Sequence, residues 1–90
     1  TAGESAAAAR QALQVLSDLQ VIDHETAEEP MRALADQLGL KAGQLFGILR
    51  VAVTGRTVSP PLFETMEVIG KETVLERIQQ AIELLAGLES

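Results

Sequence analysis

Lys41, Arg50 and Arg56 stand in a run from Gln37 to Phe63 that holds no acidic residue. The rest of this 90-residue chain is acidic. Seven carboxylates and two cations precede the run, six carboxylates and two cations follow it, and the formal net charge is −6. An acidic chain that clears carboxylates from one segment keeps repulsion away from an anionic partner, and a phosphate backbone is the commonest such partner. The same window carries RVAVTGRTVSPPLF, Arg50 to Phe63. Arginine offers planar, bidentate donors to phosphate or base edges. Arg50 has a plainer reading as well, a cation meeting the negative end of its helix dipole. Ser59 and Pro60 read as the N-cap and first residue of a helix, whose exposed N–H groups suit an anion or a carbonyl acceptor. Ser59 is equally well explained as a cap and nothing more. Leu62 and Phe63 are core residues if taken singly, and their interest lies in following an arginine, a helix end and a loop so closely.

The residue types exclude most chemistry. The one histidine, His24, sits between Asp23 and Glu25 at an expected helix break, where a solvent-exposed side chain outweighs a general base or a ligand. One imidazole and no cysteine leave no transition-metal constellation. Glu25, Glu28 and Glu29 make a conceivable carboxylate site, but acidic residues at a helix start ordinarily serve the dipole. Gly39, Gly43 and Gly47 have neither the spacing nor the preceding strand of a phosphate-binding loop. The chain itself is therefore expected to be non-catalytic and to bind no cofactor.

These residues must be positioned by helices. Ninety residues make one domain at most, and 47% hydrophobic content excludes a disordered tail. With two Phe and no Trp or Tyr, the core must be Leu, Ile, Val, Ala and Met, which favours packed helices. A first helix is expected over 5–22, with Ala9, Leu13, Leu16 and Leu19 in register and Ala12 and Val15 widening the stripe. Its Ala6–Ala9 run supplies propensity but little packing volume, so its first turns are expected to fray. Thr26 is expected to cap a second helix with Glu29 completing a capping box and Pro30 in the first turn. Met31, Leu34, Ala35 and Leu38 form its buried stripe before Gly39 stops it.

A third helix spans about 42–54, stopped by Gly55. Leu45, Phe46, Ile48, Leu49, Ala52 and Val53 share one face, and Gly43, Gly47, Arg50 and Thr54 share the other. Glycine inside a helix costs roughly 1 kcal/mol relative to alanine, so close approach of a neighbouring helix or of a ligand is expected there. A fourth helix opens at Ser59–Pro60 and buries Leu62, Phe63, Met66 and Ile69. A fifth covers about 71–86 with Val74, Ile78, Ala81, Ile82 and Leu85 inward. The expected fold is an all-α, compact single domain of about five short helices over 1–90, frayed at 1–5 and 87–90. Absence of cysteine agrees with a reducing, cytoplasmic setting. No apolar run reaches the roughly 18 residues of a membrane span, and no signal peptide is visible.

Residues 38–82, LGLKAGQLFGILRVAVTGRTVSPPLFETMEVIGKETVLERIQQAI, resemble the C-terminal end of bacterial glutamyl-tRNA synthetases. The resemblance rests on the run from Leu38 to Gly55, the S-P-x-LFE turn from Ser59 to Glu64, and the LGKE-like Ile69-Gly70-Lys71-Glu72. It implies an all-helical, cage-like anticodon-binding subdomain that grips the anticodon loop of tRNA(Glu). Glutamate codons GAA and GAG imply anticodons UUC and CUC, whose loop offers a terminal pyrimidine and a central uridine. The resemblance places anticodon contacts on Arg50, Ser59, Pro60, Leu62 and Phe63, with Lys41 and Arg56 as phosphate contacts. Pro61 departs from the small residue often found there in the family, which stiffens the turn. Splayed loop bases read by stacking and edge hydrogen bonds suit a turn with one arginine and exposed backbone groups.

The family's ATP and amino-acid motifs, HIGH-like and KMSKS-like, are absent. ATP and magnesium are therefore expected only in a catalytic domain elsewhere in a longer ligase, consistent with a chain that does not open on Met. The expected partners are the tRNA and the remainder of that synthetase, with the domain itself monomeric and away from membranes. The competing reading is a helical protein-interaction or scaffold domain that binds no RNA.

Overall fold

The computed structural model describes residues 2–55 and 61–89. Five helices follow one another: α1 (Ala2–Ser17), α2 (His24–Gln37), α3 (Ala42–Thr54), α4 (Leu62–Ile69) and α5 (Lys71–Glu89). There is no strand among the described residues. The all-α expectation is borne out, and a Cα radius of gyration of 11.8 Å matches the roughly 12 Å of a compact domain this long.

The alanine run of α1 does more than supply propensity. Ala6, Ala8, Ala9 and Ala12 are buried, and their small side chains let α5 lie close, so that α1 and α5 form the most extensive helix–helix contact. Leu16 closes this seam against a core that includes Val74, Ile78 and Ile82 of α5. Helix α1 ends five residues earlier than its apolar spacing predicts. The Ser17 hydroxyl turns back to donate to the Gln14 carbonyl at 2.8 Å, competing with continuation of the helix. The Lys71 ammonium then donates to the carbonyls of Ser17, at 3.1 Å, and Leu19. A lysine at the start of α5 thus satisfies orphan acceptors at the end of α1. At the other terminus α5 runs on to Glu89, so residues 87–89, expected to fray, are helical.

Helix α2 starts earlier than expected. Asp23 is the cap: its carboxylate accepts the Thr26 N–H at 2.8 Å, while the Thr26 Oγ1 accepts the Asp23 N–H at 3.1 Å. Thr26 is therefore the third helical residue of the capping box and not its first member. Pro30 consequently falls at the seventh helical position, inside the helix, where it removes the bond its N–H would have given to the Thr26 carbonyl. Leu38 is 36% exposed because it lies at the C-cap, past the last helical turn. The stop itself is as expected. Gly39 takes φ +72° and the Leu40 N–H reaches back to the Ala35 carbonyl at 2.9 Å.

Helix α4 opens at Leu62 with Pro61 at its N-cap, whose carbonyl accepts both the N–H and the hydroxyl of Thr65 at 3.0 Å. This overturns the expected start at Ser59–Pro60; those two residues and Arg56 lie outside the described residues. Leu62, Phe63 and Met66 are buried. One residue, Gly70, separates α4 from α5, and its φ of +98° is a conformation that side-chain-bearing residues rarely adopt.

Candidate functional site

Arg50 occupies a position that sequence spacing slightly misplaces. No basic residue lies in the last turn of α3. The helix end is served instead by α5, where the Arg77 guanidinium donates to the Val53 carbonyl at 2.8 Å. The Gly55 N–H donates to Val51 O at 2.9 Å. Dipole effects fade beyond the terminal turn, so capping is a poor account of Arg50.

Arg50 faces a groove of about 330 Å³ between α2, α3 and the start of α4. Leu62 and Phe63 line the same groove, as does Pro61. The structure therefore brings together three of the sequence-predicted contacts, Arg50, Leu62 and Phe63. Leu62 and Phe63 are each only 3% exposed, so whatever they offer a ligand is the small portion that forms the groove wall. Phe63 meets Phe46 edge to face, with ring centroids 5.2 Å apart and planes at 84°. That geometry suits the ring quadrupoles and fixes the start of α4 onto α3. Lys41 is at the N-cap of α3 with its side chain exposed. Its N–H donates to the Gln44 side chain at 2.9 Å, while the lysine side chain, which has no acceptor, caps none of the first N–H groups of the helix.

The groove also holds residues that the carboxylate-free window gave no reason to consider. His24, Glu28 and Arg32 of α2 and Glu64 of α4 are part of its wall. The His24 Nε2 lies 2.9 Å from one oxygen of Glu28, and Arg32 donates to the other at 3.4 Å. The Arg32 guanidinium carbon stands 5.6 Å from the centroid of the Phe46 ring. The i, i+4 spacing of 24, 28 and 32 was the available signal. Charge along the chain does not reveal it, because α2 and α4 carry carboxylates into the space beside Arg50.

The glycine face of α3 resolves differently from expectation. A Cβ at Gly43 or Gly47 would have no heavy atom within 4 Å, so no neighbouring helix uses the gap. Gly47 instead borders a second groove, about 550 Å³ and predominantly apolar, between α1, α3 and α5. Val51 and Leu84 contribute to it at 49% and 74% exposure. No described helix is long and apolar enough to cross a membrane.

Five helices with a mixed-charge groove over an aromatic pair define a small all-α module. Comparison with known families is specific: residues 1–82 match the anticodon binding domain family, and the chain belongs to it. It is 49% identical over 86 residues, 96% of its length, to a glutamate–tRNA ligase of Roseiflexus castenholzii, and covers 17% of that protein. It is 50% identical along its whole length to a glutamate–tRNA ligase of Dehalococcoides mccartyi strain 195, covering 19% of it. A third glutamate–tRNA ligase, from Solibacter usitatus, is 55% identical over 62 residues, 69% of the chain and 13% of that protein. The chain thus spans less than a fifth of the length of these relatives.

Proposed function

We propose that this chain is the anticodon-recognition domain of a glutamate–tRNA ligase, gripping the anticodon loop of tRNA(Glu) so that a catalytic domain elsewhere in the ligase can glutamylate it in the cytoplasm. That catalytic domain supplies the ATP and magnesium chemistry, and it and the tRNA are the partners of this one. One observation carries the reading: Arg50 is relieved of helix capping by Arg77 and stands on the groove that the turn residues Leu62 and Phe63 also line. A guanidinium there offers the forked donors that base edges and phosphates accept. Arg50, the turn from Ser59 to Phe63 and the cations Lys41 and Arg56 divide the work. The first two read the loop, and the outlying cations meet its phosphates.

The test is Arg50→Ala in the full ligase. It should reduce aminoacylation efficiency, largely through the KM for tRNA, by about 1–3 kcal/mol. Arg50→Lys should restore only part of the loss, because the charge returns without the planar fork. Unchanged kinetics in Arg50→Ala would refute the assignment. The apolar groove between α1, α3 and α5 favours a second reading, docking of a protein segment. An anticodon stem-loop that shifts no residue of the chain would favour it.

A further inference from the structure

Among the described residues, the wall of the Arg50 groove is close to neutral. Arg32 and Arg50 face Glu28 and Glu64, with His24 beside them. Such a lining repels a phosphate about as strongly as it attracts one, but it supplies both donors and acceptors for the edge of a base. Arg32 is also ordered in a particular way. Its guanidinium lies over Phe46, and Glu28 holds it by one nitrogen while His24 steadies the other Glu28 oxygen. Phe46 is in turn braced edge-on by Phe63. The Arg32 side chain is 58% exposed, which leaves room on the guanidinium side turned away from the ring. Exposed ion pairs of this kind add little to stability, whereas a guanidinium held beside an aromatic ring is a surface on which a base can stack. The groove volume is at the low end of the range for small-molecule sites, about 300–1,000 Å³.

We propose that the groove between α2, α3 and α4 receives one unpaired nucleobase of the loop, stacked on the guanidinium of Arg32, with Glu64 as an acceptor at its edge. This rests on the anticodon-binding reading and adds to it a specificity residue from α2, outside the turn. The ligand is a base and not a phosphate.

The experiment measures binding of the chain to a glutamate anticodon stem-loop and to versions in which each loop base in turn is replaced by an abasic nucleotide. Arg32→Ala weakens binding to the intact loop by about 5- to 150-fold, the range set by one base stacked on a side chain. One abasic position abolishes that difference, because the stacked base is already gone. Arg32→Lys loses nearly as much as Arg32→Ala while keeping the salt dependence. Glu64→Gln alters the preference among the four bases at that same position. Three results overturn the proposal. In the first, Arg32→Ala weakens every loop alike, lowers the salt slope by about 0.7 and is rescued by lysine, which marks a phosphate contact. In the second, Arg32→Ala binds like the unmodified chain while Arg50→Ala does not, which removes the proposal and leaves the anticodon-binding reading standing. In the third, the unmodified chain fails to bind, or Arg50→Ala is also silent, and the reading beneath the proposal falls with it.

Discussion

Arg77 and Arg50 should part company when each is removed. The last turn of α3 leaves four carbonyls without intrahelical partners, and Arg77 satisfies that of Val53 at 2.8 Å. A hydrogen bond from a charged donor contributes about 1.5–3 kcal/mol when shielded. This one is only part-buried, so competition from water reduces it to about 1 kcal/mol. Arg77→Met keeps much of the stem and removes the donors. In a domain of this size 1 kcal/mol moves Tm by about 4–8 °C, so thermal melts followed by circular dichroism should show a loss in that range. Arg50→Ala removes a half-buried side chain from the groove edge and should stay within about 0.5 kcal/mol of the unmodified protein. RNA binding should show the reverse order: Arg50→Ala weakens it by about 1–3 kcal/mol, and Arg77→Met leaves it intact below its melting range. If Arg50→Ala lowers Tm as far as Arg77→Met, Arg50 is a structural cation and the assignment of roles is wrong.

Gly43→Ala and Gly47→Ala should each stabilise the fold by about 0.5–1 kcal/mol in denaturant titrations, since neither has a positive φ or a neighbour within 4 Å of the added Cβ. A loss of stability at either would mean that the helix is not as open there as it stands. Lys71→Met should lower Tm and speed amide exchange near Leu19, because it removes the donor to the Ser17 and Leu19 carbonyls. The Thr26 N–H bond, with its hydroxyl, holds the Asp23 carboxyl below the usual carboxylate range. The depressed folded value means that its contribution is present above the unfolded pKa of about 3.9 and is lost as pH falls through the folded one. Acid should therefore loosen the start of α2 first, with the Asp23 carboxyl midpoint in an NMR titration below 3.9. A midpoint at or above that value would sink the capping argument.

Helix α3 and its stop were legible because two independent signals coincide there. A 3.6-residue apolar period ends at Gly55, which takes φ +74° as a left-handed cap. The start of α2 was harder. Asp23 and Thr26 are both good caps, and only the reciprocal bonds between them decide that Asp23 takes the role. The end of α1 was only half legible: Ser17, which bonds back to Gln14, is a local signal, but Lys71, which satisfies the carbonyls left there, lies more than fifty residues away in the chain. The alanines pose a similar problem: small residues look like weak packing until the partner that needs the room, α5, is known. In the groove, Arg50, Leu62 and Phe63 could be singled out because they follow one another closely. Arg32 could not, because it reaches Phe46 across the α2–α3 contact from outside the carboxylate-free run.

The most direct test of the account is a chemical-shift titration of the isotope-labelled chain with a glutamate anticodon stem-loop and with loops carrying a substituted central base. The account predicts saturable shifts centred on Arg32, Arg50 and the residues from Pro61 to Glu64, weakened when the central uridine is replaced and little changed elsewhere. Shifts confined to Val51, Leu84 and their neighbours, equal responses to every loop, or no response at all would contradict it.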